Sequence, residues 1–375
     1  NNSPEALNIE SIKSLSNTRN KDLQNAYENY FIAKKNVSVA RAAINPVSTG
    51  YILGIALGAN YLWLPVAVNA VLSLPTKFYN VQKNKALENS QYWSHRHARK
   101  IFANEAVNLY LDIMTNEFIL KSIDLELELY SELFDSLMTS ETPNVSTLDE
   151  VRGTILSLQK EALTISDVVV KERAALRTLL SYGPETKLEL AQDTRFLSQV
   201  NRSSYTDREL ENIAFENSDR YNAQYWMYQA SIKNLKMVRW SLISFNGLNF
   251  TYGQRVKIAK TEKRVAAEEM NNMKIRVKEI VIDGLNKLNG ALAVQKIKEA
   301  KSQESLNFNA GIRTNYENGQ LSLNDYVMTA VDAIRDFRQF VAAHYKTLAN
   351  VENLEIALGK PLELNNDGIL EVNNL

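Results

Sequence analysis

From Lys77 to Met138 the sequence contains neither proline nor glycine, and from Gln254 to Tyr316 it contains no proline. Apolar residues recur through both stretches at intervals of three and four, the period of a helix. About 60 helical residues at 1.5 Å rise make a rod of roughly 90 Å, more than a globular domain needs. Elsewhere, too, breakers are few: 13 Gly and 7 Pro in 375 residues. A rod of this length buries its apolar stripe only against other helices, as a coiled coil, a bundle or the wall of a barrel. The stripe reads Ala106, Leu109, Leu111, Ile113, Phe118, Ile119 and Ile123 in the first rod. In the second it reads Ile275, Ile280, Ile282, Leu285, Leu288 and Leu292. The chain is mostly α, and its broad apolar faces predict contact with further copies.

The two rods belong to two similar halves. Ser146–Val151 (STLDEV) aligns with Ser322–Val327 (SLNDYV) at an offset of 176, which also places Gly183 on Gly359. Lys35, Asn36, Val37 and Arg41 align with Lys233, Asn234, Leu235 and Arg239 at an offset of 198. Several weak matches in order, with two consistent offsets, predict a tandem repeat covering 1–195 and 196–375. Each half then holds a first helix (Ile9–Ala43; Asp207–Leu242), a long helix (Lys77–Met138; Gln254–Tyr316), a polar tip and a return helix (Leu148–Leu180; Leu323–Leu358). Gly183-Pro184 and Gly359-Lys360-Pro361 stop the return helices. Asn144 or Ser146, and Ser322 or Asn324, are placed to cap their starts.

The halves differ in one place. No charged residue occurs between Ala42 and Thr76, and Gly50–Pro75 reads GYILGIALGANYLWLPVAVNAVLSLP. Pro65 and the glycines argue against a simple membrane helix. Read as strands, 50–64 and 66–74 have the length of tilted membrane strands, a β-hairpin turning near Asn60–Pro65. Tyr51, Tyr61 and Trp63 suit an interface belt, and Leu57 and Val68 a lipid-facing side. A helical hairpin or sheet packed under the rods is the other reading. In the second half Trp240–Gly253 is too short for two spanning strands.

Reactive chemistry is sparse. Lys+Arg and Asp+Glu both number 43, so no cationic excess points to nucleic acid. There is no cysteine, hence no disulfide, thiol nucleophile or thiolate metal site. His95 and His97 point to different sides of a helix and do not chelate one ion; with Arg96, Arg99 and Lys100 they read as a solvated basic patch. Asp124, Glu126, Glu128, Glu132 and Asp135 read as a solvated acidic face, and His344 as a surface or packing residue. No phosphate-binding or catalytic motif occurs, so the chain reads as a non-enzyme with no cofactor and no metal. The opening NNSPEALNIE lacks the pattern of a secretory leader, consistent with a cytosolic chain or a numbering that begins after cleavage.

Together the motifs resemble the TolC family of outer membrane factors. They are LNIESI (Leu7–Ile12), Asn17, Asn20 and Leu23, AKKNVSVARAAINP (Ala33–Pro46), LSLP (Leu72–Pro75), the tip Tyr316–Asp325, and ALGKPLEL (Ala357–Leu364). The resemblance spans nearly the whole chain. It implies a homotrimer whose hairpins form a hollow α-helical barrel through the periplasm, joined to the outer membrane and its lipid by a β-barrel. It also implies export, by efflux or secretion, with a periplasmic adaptor and an inner-membrane transporter in a Gram-negative bacterium. Asp149 and Asp325 would lie at the tunnel entrance, and Tyr316 would match an aromatic of the tip lock. Leu321 stands where family members complete that lock with arginine, and Met328 where a second acid is expected. With strands in one half only, a trimer supplies about six, below the minimum of about eight for known bacterial barrels. The alternative function is therefore a non-conducting scaffold, attached to the membrane or periplasmic, that keeps the helical wall and has lost the pore. A helical pore-forming toxin inserting Gly50–Pro75 is a third reading, opposed by the repeat.

Overall fold

A computed structural model describes residues 6–44, 64–140, 145–191, 207–243 and 251–359. In chain order the helices are α1 (Ile9–Arg19), α2 (Lys21–Ala42), α3 (Leu64–Leu72), α4 (Leu74–Met138), α5 (Val145–Leu179), α6 (Asp207–Asn217), α7 (Asp219–Trp240), α8 (Tyr252–Glu317) and α9 (Leu323–Leu358). The long helices α4 and α8 have 65 and 66 residues, and the return helices α5 and α9 have 35 and 36.

The helices form a single layer. Toward the tips its order is α5, α4, α9, α8; at the other end α2, α4, α7 and α8 lie side by side. Each long rod is thus flanked by two shorter helices stacked end to end, with the joints near mid-rod. A single layer has no room for one central core. Instead, small clusters are strung along it: Ile123, Tyr130, Leu133, Val151, Leu158, Val327 and Val331 toward the tips; Ile12, Tyr110, Leu176 and Leu180 at mid-rod; Leu235, Val238 and Ala259 at the far end. The accessible surface is 22682 Å². A compact globule of this size exposes about 15,000 Å².

Local chemistry sets the helix ends. Asn8 and Ser11 cap α1 reciprocally, each backbone N–H donating to the other's side-chain oxygen at 2.8 Å. The expected single first helix is two in each half, broken at Asn20 and at Ser218, which are 198 residues apart. Both are polar caps: Leu23 N–H donates to Asn20 Oδ1 at 3.3 Å, and Tyr221 N–H to Ser218 Oγ at 3.2 Å. At the end of α9 the left-handed residue is Gly359, φ 75°. At the end of α5 it is Ser181, φ 54°, rather than Gly183. Ser181 N–H donates to Thr178 O and Tyr182 N–H to Arg177 O, the Schellman pairing. The segment after α5 then runs beside the chain start: Leu7 N–H donates to Glu189 O and Ala191 N–H to Leu7 O. That bridge is isolated; among the described residues there is no β-strand.

The apolar segment departs from the strand reading. Its second run, expected as a strand over 66–74, is helical in α3. Pro65 falls in the first turn, where a missing N–H leaves no helical bond unmade. Pro75 likewise falls in the first turn, that of α4, and backbone bonds continue around it: Ser73 N–H donates to Asn69 O and Lys77 N–H to Ser73 O. LSLP therefore joins two helices. Val68 lies on α3 and is exposed, while Tyr51, Leu57, Tyr61 and Trp63 lie outside the described residues. Among the described residues no helix is long and apolar enough to cross a membrane.

Candidate functional site

At the second tip Asn318 ends α8, Gly319 turns the chain at φ 73°, and Ser322 opens α9. Asp325 N–H donates to Ser322 Oγ at 3.2 Å, and the Ser322 hydroxyl donates to Asp325 Oδ2 at 2.7 Å. Asp325 is thus a capping carboxylate, exposed to solvent in the first turn, where the helix dipole favours negative charge. Tyr316 stacks on Tyr326 at 5.1 Å between ring centroids, with 5° between the planes, and so clasps the turn. Leu321, half-buried, lies in the turn between them. Tyr326 was not a candidate from sequence; its signal is an aromatic on each side of a short Gly-containing turn. Asp149 lies exposed in the second turn of α5, beyond the strongest reach of the dipole. Val151 and Val327, each two residues after its aspartate, share one cluster, so both tips lie at the same end of the layer. Asn144 lies outside the described residues, and Ser146 lies within α5 rather than capping it.

Behind the tips, the acidic run is not uniformly solvated. Asp124, Glu128, Glu132 and Asp135 are exposed, but the side chain of Glu126 is fully buried. It faces Arg335 Nε at 3.0 Å and Arg338 Nη2 at 3.3 Å, joining the first hairpin to the second. Asp336 does the same between α9 and α8, with Lys301 Nζ at 2.7 Å and the Ser305 hydroxyl at 2.6 Å.

The basic patch is likewise a joint rather than a solvated face. Buried Asp219, the first residue of α7, pairs with Lys100 Nζ at 2.7 Å and Arg96 Nε at 3.3 Å. Lys100 also donates to Gly359 O at 3.3 Å, which covers the carbonyl end of α9. Ala86, Ser90, Ala223 and Ala230 let α4 and α7 approach closely, and the Ser90 hydroxyl donates to Ala223 O at 2.9 Å. His97 lies in this seam. Burial, reinforced by Arg220 and Lys100 and opposed by Asp219, lowers its pKa to about 4. His344 is a buried packing residue, its Nδ1 3.4 Å from Gln295 Nε2.

A pH dependence follows from His97. The unfolded chain protonates this imidazole near pH 6.5 and the folded chain only near about 4. Its contribution is therefore complete above pH 6.5, falls through the interval, and is gone below about 4. Allowing for the part of the ring that meets solvent, the loss is about 1–2 kcal/mol. Urea midpoints taken from pH 7 to pH 4 should fall more for the wild type than for His97→Gln. Equal falls would mean that His97 titrates as an ordinary exposed histidine.

No family model matches the sequence, and a search of curated proteins finds no relative. Solved structures do match. The outer-membrane channel OprN is 12% identical with a TM-score of 0.70, covering 94% of this chain and 90% of that one. The Neisseria gonorrhoeae MtrE outer membrane channel, solved in its open state, is 12% identical with a TM-score of 0.69, covering 96% and 91%. CusC, described with transmembrane channel formation, is 14% identical with a TM-score of 0.68, covering 94% and 92%. Along nearly its full length, the chain has the helical fold of the TolC-like outer membrane channels.

Proposed function

We propose that the chain is a TolC-like outer membrane factor, the duct component of a trans-envelope export system in a Gram-negative bacterium. Three copies close a helical tunnel through the periplasm, working with an adaptor and an inner-membrane transporter. The observation that carries the reading is a pair of exposed apolar edges that no other described helix covers. On α5, Leu163 is 73% exposed, with Leu156 and Val170 beside it; on α8, Ile297 is 66% exposed, with Ile258 and Phe308. The expected stripe residues Ile275, Ile280 and Ile282 also face outward, while α8 packs inward through Val277, Val281, Leu285 and Leu288. Two different apolar edges on opposite sides of one layer suit a head-to-tail contact, which closes into a ring. The matched lengths of α4 with α8, and of α5 with α9, support two tandem repeats, 1–195 and 196–375.

At the entrance, threefold symmetry turns Asp325 into a ring of three carboxylates that draws in cations. Tyr316 and Tyr326 hold the tip closed. Reconstituted protein should carry a cation-selective current that trivalent cations block. Asp325→Asn should weaken both selectivity and block, and Tyr316→Ala should raise conductance. Absence of current in the wild type and in Tyr316→Ala would remove the duct reading. One observation favours the scaffold instead: only residues 241–251 join α7 to α8, whereas a single membrane strand already takes about 9–11.

A further inference from the structure

Between the outermost helices α1 and α2 and the rod α4, two adjoining hollows share Asn17 and Arg99. One, of about 310 Å³, is lined by Asn17, Thr18, Gln24, Tyr27, His95 and Arg99 among others. The other, of about 370 Å³, continues past Arg99 to Lys13, Asn104 and Glu355. Tyr27 and His95 line the first end, and Tyr92 lies one turn before His95 on α4. Tyr27 is 52% exposed and Tyr92 44%, both large apolar faces left to solvent. Neighbours hold them in place: Tyr27 lies edge-on to His95 at 5.7 Å, and Tyr30 packs between Tyr92 at 5.9 Å and His95 at 6.3 Å.

The charges of the groove are not equivalent. Lys13 is paired with Glu352 at 2.6 Å, and Arg96 and Lys100 with Asp219. Among the described residues Arg99 forms no ion pair; it donates to Asn17 Oδ1 at 3.4 Å. The groove therefore offers aromatic faces, a row of amide and hydroxyl groups, the carboxylate of Glu355 at its far end and, among the described residues, one guanidinium outside any ion pair. A peptide helix would need a continuous apolar floor, and a nucleic acid would need several free cations. A pyranose chain needs what is present: ring faces for its C–H groups, amides for its hydroxyls, and a cation for an acidic substituent.

We propose that this groove binds an acidic glycan strand, with sugar rings on Tyr27 and Tyr92, hydroxyl and amide groups on Asn17 and Gln24, and a carboxylate on Arg99. Such a strand has two sources in a cell envelope, the cell-wall glycan and an exported polysaccharide. The inference does not depend on conduction, because binding on this face is the same for a duct and for a scaffold.

The test uses the full chain purified in detergent. It measures co-sedimentation with peptidoglycan sacculi and binding to alginate, a soluble uronic-acid polymer, with neutral dextran as the comparison. Tyr27→Ala and Arg99→Gln alter exposed side chains and should leave the melting temperature unchanged. Each should weaken binding about fivefold, the effect of one lost aromatic or charge-assisted contact. Gln303→Ala, on an exposed face of α8, should leave binding unchanged. Loss of sacculus binding in both variants supports the groove with the wall glycan as ligand. Loss confined to alginate supports it with an exported polymer as ligand. Binding to neither polymer, binding equal to that of dextran, or binding unchanged in Tyr27→Ala and Arg99→Gln overturns the proposal.

Discussion

Replacing Gly359 by alanine should destabilise the chain by about 2–4 kcal/mol, far more than the loss of a hydrogen atom suggests. Two costs coincide there. The residue ends α9 at φ 75°, where a Cβ strains the backbone by about 1 kcal/mol. The added carbon would also sit 2.9 Å from the carbonyl carbon of Asn217, and closer still to its oxygen. That carbonyl belongs to the end of α6, fixed by the one-residue break at Ser218 before α7, so backbone rather than a flexible side chain must move. Gly359 is where α9 abuts α6 and α7, and the displacement would also disturb Lys100, which bonds both Gly359 and Asp219. Gly319→Ala is the control: φ is 73°, nothing lies within 4 Å of its Cβ, and only the strain of about 1 kcal/mol remains. Denaturant midpoints of the two variants at one protein concentration separate strain from overlap. Equal losses would mean that α6 does not press on Gly359.

Removing both arginines that face Glu126 should cost about 3–5 kcal/mol, because a fully buried carboxylate is left without a cation. The reverse change should be milder. Arg335 keeps 40% of its side chain in solvent, so in Glu126→Leu its guanidinium can turn outward and the loss is about 1–2 kcal/mol. Adding Glu126→Leu to the Arg335→Leu/Arg338→Leu variant should restore much of the stability. The order of the three variants, measured by denaturation, is the prediction. If the arginine double variant is no weaker than Glu126→Leu, the charges meet water and do not lock the hairpins together.

Much of this architecture was legible because long helices announce themselves by period and by the absence of breakers. The return helix Leu323–Leu358 was expected with those bounds, and the long helices begin and end within three residues of expectation. Other features needed the neighbouring helices to be known. Glu126 sits in a run of acids, yet it lies three residues after Ile123 and four before Tyr130, on the buried stripe; its cations are about 200 residues away on α9. His97 likewise follows Ser90 and Ala86 on the face that meets α7, but Asp219 is brought to it only by the fold. At Asn20 and Ser218 a polar residue inside a helical period signals a cap only once the break in the helix is known. The strand reading of 66–74 failed for a different reason: a short apolar run has no period to separate strand from helix, and its flanking prolines suit a helix start equally well. At the tips, Tyr316 and Asp325 could be named from the turn sequence, whereas the stacking partner Tyr326 needed the geometry of the turn.

We propose that this layer is one wall of a closed ring, its α5 edge meeting the α8 edge of the next copy. Electron microscopy of detergent-extracted protein, with its mass measured by light scattering, tests this most directly. Three copies should surround a central channel, lost to monomers when Leu163 or Ile297 is replaced by glutamate. A monodisperse monomer at micromolar concentration, or a trimer that survives both replacements, would contradict it.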